Sequence, residues 1–533
     1  MRGLVRYFIA FLLFVFTFSC KENEMKKALS EEPKGIVAEE VYRPAFHFTP
    51  KKNWMNDPNG MFYLNGNYHL FFQYYPDSTV WGPMHWGHAV SKDLIKWEEL
   101  DIALYPDSLG YIFSGSAVVD TKNTSGFGKD GQTPIVAIFT YHNMEAEKAG
   151  APVYQSQGLA YSLDGGIKWT KYASNPVLKS PGLKDFRDPK VIWDEKREQW
   201  IMALATYEKT MFYGSKNLKE WTFLSDFGKN YGAHGGVWEC PDFFPIKIDG
   251  TEEEKWVLIQ SLNPGGANGG SGTQYFVGDF DGKKFILDQK FEAQLKNGPQ
   301  WLDHGRDNYA GVTWSDIPAN DGRRIFIGWM SNWDYANKVP TVAWRSALTL
   351  PRTLHLKKND KGYKLVSMPV QEIEKYYGES IAKKDLVIKD ETVILQEAEI
   401  DLNAAFIDLN LAELKNDSYD LRFYNNQNEY VSLVIDTEKR VFYFDRTHSG
   451  NTGFSEKFAN RVSVMPFENS FKDLNIKIWI DKASVEIFMN HGEFVMTEIF
   501  FMNAPVQKFS LKVMEEIKVK SLVARPIKLG KNE

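Results

Sequence analysis

Only two cysteines, Cys20 and Cys240, occur in the chain. No disulfide framework can therefore hold this fold, and a packed core must do so instead. Positive charge is not in excess either: 63 Lys and Arg stand against 69 Asp and Glu, a formal charge of −6. No basic face is evident, which gives no support to a nucleic-acid partner. Helical periodicity is scarce. What takes its place is short apolar strands broken by Gly, Asn, Asp and Pro, with an aromatic share of 15% that includes 16 Trp. Such a composition fits an all-β fold or a sugar-binding protein. At 533 residues, two domains are expected.

The first twenty residues read as a targeting segment. Arg2 and Arg6 form a positive region, followed by an apolar run from Tyr7 to Phe18. That run is short for a bilayer span and suited to a signal peptide. It ends at Thr17-Phe18-Ser19-Cys20, which resembles a bacterial lipobox, so residues 1–20 are expected to be a lipoprotein signal with Cys20 lipidated. The alternative is a plain secretory signal with an incidental cysteine. Residues 21–40, half of them charged, read as a solvated tether. The expectation is an exported protein anchored to a bacterial membrane by lipid alone, on the periplasmic or the cell-surface side.

From Val41 a strand with an aromatic-aliphatic burst recurs: Tyr68–Phe72, Ile135–Phe139, Trp200–Leu204, Trp256–Gln260 and Ile325–Trp329. Hairpin signals such as Asn65-Gly66, Asp249-Gly250 and Asp321-Gly322 precede several of them. A second repeat runs alongside, Ser91-Lys-Asp-Leu-Ile-Lys-Trp97 and Ser215-Lys-Asn-Leu-Lys-Glu-Trp221, with a looser copy ending at Trp169. Five copies predict a five-bladed β-propeller over residues 41–356, favoured over a sandwich or unrelated hairpins by the double repeat. Beyond Arg352 the texture changes. Lys357 to Lys361 reads as a polar turn and Ser367-Met-Pro-Val as a connector. Leu474, Ile476, Ile478 and Ile480 then alternate with Asn475, Lys477, Trp479 and Asp481. That period-2 pattern predicts a C-terminal β-sandwich over 370–528, in a support or ligand-binding role.

Three carboxylates stand out from the acidic background by their apolar or turn-embedded contexts. Asp57 lies in Trp54-Met-Asn-Asp-Pro-Asn-Gly60, where Asn56 or a backbone amide can hold it ionised. Asp188 lies in Phe186-Arg-Asp-Pro189, where Arg187 is expected to lower its pKa. Glu239 lies in Val237-Trp-Glu-Cys-Pro241, where Trp238 and Cys240 are expected to desolvate it and raise its pKa. Glycoside hydrolysis needs one ionised and one protonated carboxyl group, and this trio offers both. Taken alone the pattern stays open, since Asp-Pro is also common turn chemistry and a buried Glu is frequently just a paired one.

These segments resemble glycoside hydrolase family 32, the invertases, inulinases and levanases. Trp54–Gly60, Arg187-Asp188-Pro189 and Glu239-Cys240 match three family motifs in the family's order, and Trp81-Gly82 and Phe113–Ser116 match further pocket segments. The likeness runs from about Phe46 to Phe500. It implies a propeller followed by a sandwich, and a retaining double displacement on β-fructofuranosidic bonds. Asp57 would be the nucleophile, Glu239 the general acid/base, about 5–5.5 Å away, and Asp188 the transition-state stabiliser. Asn56, Gln73, Trp81, Phe113, Ser114 and Arg187 would line the sugar subsite, although Trp81 and Phe113 also fit ordinary blade packing. Tyr154–Ala160, Pro264–Gly270, Trp301–Tyr309 and Trp329–Tyr335 look most like bacterial levanases and exo-inulinases. The reading is therefore an exo-acting hydrolase of levan or inulin, and of sucrose, with no metal or organic cofactor.

Three other readings remain open: an endo-acting levanase or inulinase, a non-catalytic fructan-binding lipoprotein, and another five-bladed hydrolase acting on arabinan or xylan. His85 and His88 have no third ligand nearby and read as strand residues rather than a metal site. The Asn263–Gly272 segment is followed by no Gly-Lys-Ser/Thr, so it reads as a surface or pocket-rim loop rather than a phosphate cradle. Cys240 reads as a small packing residue.

Overall fold

The computed structural model describes residues 40–530 apart from Asn469. The expected signal segment, the tether up to residue 39 and the lipidation candidate Cys20 lie outside the described residues. Five antiparallel sheets come first, and their innermost strands are Asn53–Leu64, Tyr111–Val119, Phe186–Asp194, Val237–Lys247 and Tyr309–Thr313. Each packs on the next, and the fifth meets the first, so the sheets close into a five-bladed ring. Trp344–Arg345 adds to the first blade in parallel beside Asn53–Leu64, tying the end of the ring to its start.

The two sequence repeats have a common structural cause. All five aromatic-aliphatic bursts lie in second strands, which are sandwiched between neighbours and buried on both faces, hence the continuous apolar runs. The Ser-to-Trp motif is the turn between third and fourth strands. Leu94 (φ 68°), Leu218 (φ 63°) and Gly166 (φ 92°) occupy the same left-handed position. Three residues on, the indoles of Trp97, Trp221 and Trp169 each donate back to the carbonyl of that residue at 2.8–3.0 Å.

The fifth blade is completed by Arg352–Asn359 and Gly362–Pro369. The expected boundary at 356 thus falls inside a strand. The polar stretch read as a turn is the tip of this outer hairpin, and of the residues read as a connector, Ser367 to Pro369 end its last strand.

After residue 380 two six-stranded antiparallel sheets face each other across a core of Ile, Leu, Val, Met and Phe side chains. The sheet holding Ala404–Ala412, Leu474–Asp481, Ser484–Met489 and Phe494–Ile499 is buried on both faces. Ile407, Ile478, Ile487 and Met496 point into the sandwich, while Phe406, Trp479, Phe488 and Val495 pack on the propeller cluster around Trp54 and Trp329. Truncating one of these propeller-facing aromatics would cost about 3–5 kcal/mol.

Charge is buried at the same seam. Arg352 reaches Asp303 at 3.0 Å and Glu486 at 2.5 Å; Arg446 reaches Asp307 at 2.6 Å and Glu498 at 3.0 Å. Removing one partner from such a buried pair leaves an uncompensated charge and costs about 3–5 kcal/mol.

Candidate active site

At one end of the ring every inner strand breaks its ladder. The register slips between Met55 and Pro58, Ile112 and Gly115, Arg187 and Lys190, Glu239 and Asp242, and Tyr309 and Val312. A β-bulge re-aims side chains that a regular strand would alternate. Here five equivalent bulges turn Asp57, Ser114, Asp188 and Cys240 toward one another. Asp188 and Cys240 take left-handed backbone angles to do so, at φ 62° and 44°. For non-glycine residues that conformation is a local cost held in place by the surrounding sheet.

Oδ1 of Asp57 accepts from the Asn56 amide at 2.9 Å. Its Oδ2 accepts from the Ser114 hydroxyl at 2.8 Å and from the Cys240 thiol at 3.4 Å. The Trp54 indole donates to the Asn56 oxygen at 2.7 Å and so fixes which end of that amide faces Asp57. Oδ2 of Asp188 accepts from the Cys240 backbone N–H at 3.0 Å, with the thiol 3.6 Å away. Glu239 accepts from Arg187 at 3.1 Å through Oε1 and from the Tyr309 phenol through Oε2. Arg187 is itself pinned by Asp185 at 2.5 Å.

Asn56, Asp57, Ser114, Asp185, Arg187, Asp188 and Glu239 line a cavity of about 260 Å³ together with Gln73, Trp81 and Phe113. All nine pocket residues expected from the sequence are brought to it. Phe113 stacks on His142 at 4.2 Å, and Trp81 meets Phe113 edge-on at 6.1 Å. Further along the inner strands the axis is filled. Lys190 lies 3.1 Å from Asp242 and donates to the Thr313 carbonyl at 2.6 Å.

Residues 47–369 match the family model for the glycosyl hydrolases family 32 N-terminal domain, and residues 372–526 match the one for its C-terminal part. The chain belongs to glycoside hydrolase family 32. A levanase of Bacillus subtilis is 46% identical to it over 493 residues, covering 92% of this chain and 71% of the relative. An extracellular exo-inulinase of Aspergillus awamori is 40% identical over 491 residues, 87% of this chain and 90% of the relative. Among solved structures, exo-inulinase from Aspergillus awamori superposes with a TM-score of 0.82 at 36% identity, covering 92% of this chain and 99% of that one. A Schwanniomyces occidentalis fructofuranosidase complexed with fructose gives 0.81 at 33% identity, covering 93% and 100%.

Electrostatics in this family-32 pocket differ from the local reading of the sequence. Asp188 was expected to sit low beside Arg187. Burial instead pushes it up to about 7; Arg187 opposes that rise, and the carboxylates of Glu239 and Asp57 add to it. Arg187 cannot prevail because its close contacts go to Asp185 and Glu239, with its Nε 3.9 Å from Asp188. Burial also raises Asp57, against the donors from Asn56, Ser114 and Cys240. Glu239 rises as expected, by burial first, with Arg187 and Tyr309 opposing and Asp57 contributing. Trp238 is not the cause, since its ring points away and stacks on His234 at 5.3 Å. Cys240 is more than packing: its thiol stands between two carboxylates.

His142, Glu147, Tyr154, Gln155, Asp185 and Trp333 also line the cavity without having been singled out, and Tyr309 supports it from behind. The segments Tyr154–Ala160, Trp301–Tyr309 and Trp329–Tyr335 carried the available signal for Tyr154, Tyr309 and Trp333. The glycine-rich segment serves this rim, because Ser271 accepts from the Trp333 N–H at 3.1 Å. Neither His85 nor His88 lines the pocket: His85 bonds the Pro83 carbonyl at 2.9 Å, and His88 pairs with His69 at 3.1 Å.

Proposed function

We propose that this chain is an exo-acting hydrolase of β-fructofuranosidic bonds in fructans and sucrose, releasing fructose by a retaining double displacement. Asp57 attacks the anomeric carbon while Glu239 protonates the departing oxygen. Glu239 then takes a proton from water, which frees the fructosyl unit from Asp57. Asp188 bonds the sugar hydroxyls and stabilises the oxocarbenium-like transition state. Asn56, Gln73, Trp81, Phe113, Ser114 and Arg187 hold the ring.

One observation carries the reading: the carboxyl groups of Asp57, Asp188 and Glu239, from three blades, line one cavity sized for a single sugar, with the Cys240 thiol between the first two. At about 260 Å³ it lies below the ~300–1,000 Å³ of sites for drug-sized ligands. The filled axis beyond Lys190 and Asp242 supports attack on a chain end rather than mid-chain. Burial raises the pKa of Glu239 and so favours the protonated form that a general acid requires. Asp57 takes three donors that favour its ionised form, as a nucleophile requires.

Export is part of the proposal, supported by the Arg2, Arg6 and Tyr7–Phe18 pattern and by relatives named as extracellular. So is lipid attachment at Cys20, as the chain's means of contact with a membrane. We infer the sandwich, over about 370–528, to be a support domain.

The test incubates protein lacking the first thirty residues with levan, inulin, sucrose and an arabinan control, and resolves products over time. Fructose as the sole early product, lost in Glu239→Gln and Asp57→Ala, is the expected outcome. A ladder of oligosaccharides would move the enzyme to the endo class. Release from arabinan with none from any fructan would overturn the substrate. No release from any substrate would leave a binding protein.

A further inference from the structure

A second hollow, of about 480 Å³, adjoins the first and shares three wall residues with it, Glu147, Tyr154 and Asp185. Its outer side is the turn of a tight hairpin. Strand Gln199–Thr206 ends and strand Lys209–Ser215 begins with only Tyr207 and Glu208 between them. Tyr207 is 57% exposed, so its ring is open to a ligand at the edge of the hollow. The turn is not loose, because the Tyr207 carbonyl accepts from the Trp238 N–H at 2.9 Å, one residue before Glu239. The backbone that carries this exposed ring is thus tied to the strand that carries the acid/base carboxyl group.

The chemistry of the hollow narrows its occupant. Leu183, Val237 and the rings of Tyr154 and Tyr207 give it an apolar side, and Lys184 and Glu208 give it hydrogen-bonding groups of both charge signs. With Lys209, Glu147 and Asp185 counted as well, three acidic side chains face two basic ones, a near balance that suits a neutral polyol better than a phosphate. A ring with polar neighbours is also how proteins hold a sugar, by its apolar face and its hydroxyls together.

Resting on the reading of the site given above, we propose that the hollow beside Tyr207 seats the fructan chain beyond the scissile bond, with Tyr207 as the platform for its second and later units. The pocket of Asp57 and Glu239 takes the terminal fructose. The remaining chain leaves past Glu147, Tyr154 and Asp185, the edge common to both hollows. The enzyme would then discriminate by chain length, favouring longer oligofructosides over a disaccharide.

The experiment measures kcat/KM for fructose release from oligofructosides of two to five sugars in wild type, Tyr207→Ala and Tyr207→Phe. The readout is each protein's own ratio of the five-sugar to the two-sugar value, which does not depend on how much of a preparation is folded. In wild type the ratio is expected to exceed one. It should fall roughly fivefold to tenfold in Tyr207→Ala, mainly through KM, and survive in Tyr207→Phe, which keeps the ring. Fructose release with the same ratio in wild type and Tyr207→Ala would overturn the platform alone. No release from any of these substrates by wild type would overturn the reading of the site, and the platform with it.

Discussion

Arg187 donates to Oε1 of Glu239 at 3.1 Å, bridging two blades across 52 positions of sequence. The contact joins the cavity's guanidinium to the carboxyl group proposed as acid and base, and it holds Glu239 below where burial alone would put it.

Replacing Arg187 by Met therefore has a predictable sign. Loss of the positive charge lets the Glu239 pKa rise further, so the alkaline limb of kcat/KM on sucrose moves to higher pH. An opposite charge this close shifts a carboxyl by about one unit or more. Overall activity drops about tenfold to a hundredfold with the lost charge-assisted bond. A pH profile of the variant checks both, and an alkaline limb that stays put or moves to lower pH would count against this role.

Cys240 yields two expectations. Burial and the carboxylates of Asp188, Asp57 and Glu239 push its thiol well above the ordinary range, so it holds its proton and stays inert. A disulfide reagent applied to native protein lacking Cys20 should leave it unmodified and react fully after denaturation. Its thiol also donates to Asp57, a contact that lowers the pKa of that carboxyl. In Cys240→Ala the acid limb of the pH profile should move to higher pH with a few-fold loss of activity, while Cys240→Ser stays nearer wild type. Rapid labelling of the native thiol would contradict the first expectation.

His47 makes stability depend on pH. It bonds Asp481 and Glu486 at 2.8 Å each, at the seam between propeller and sandwich. Burial is the largest influence and pulls its pKa down, but the bonds and charges of the two carboxylates together outweigh it and hold the imidazole at about 9. A pKa raised on folding gives stability that is complete below the unfolded value near 6.5 and is lost as pH climbs through 9. Thermal midpoints of wild type should fall between pH 6.5 and 9 more steeply than those of His47→Gln. Parallel curves for the two proteins would remove His47 from the account.

How far the sequence reached depends on what each residue's surroundings are made of. The five second strands announced themselves because burial on both faces demands apolar runs. The Ser-to-Trp turns were visible because the turn imposes its own chemistry. Asp57, Asp188 and Glu239 lie where Pro and bulge geometry leave a local trace. The polar tip of the fifth blade's outer hairpin is legible as a turn, whereas Ser367 to Pro369, which reads as a connector because a proline closes it, is the end of a strand. Trp479 and Asp481 looked like an outward face, yet that face is covered by the propeller, where Asp481 binds the Ala45 N–H at 2.7 Å. Electrostatics were the least legible. The pKa of Asp188 depends on Glu239 and Asp57, brought in from other blades, and on Arg187 turning away from its neighbour.

The most direct test of the account traps the intermediate. Glu239→Gln, which cannot activate water, would be mixed with a fructoside bearing an activated leaving group, quenched in acid and digested, and its peptides weighed by mass spectrometry. The account predicts one fructosyl unit on the peptide holding Asp57, absent when Asp57 is also replaced by Ala. A fructosyl unit on any other residue, or turnover of the same substrate by Asp57→Ala at the wild-type rate, would contradict it.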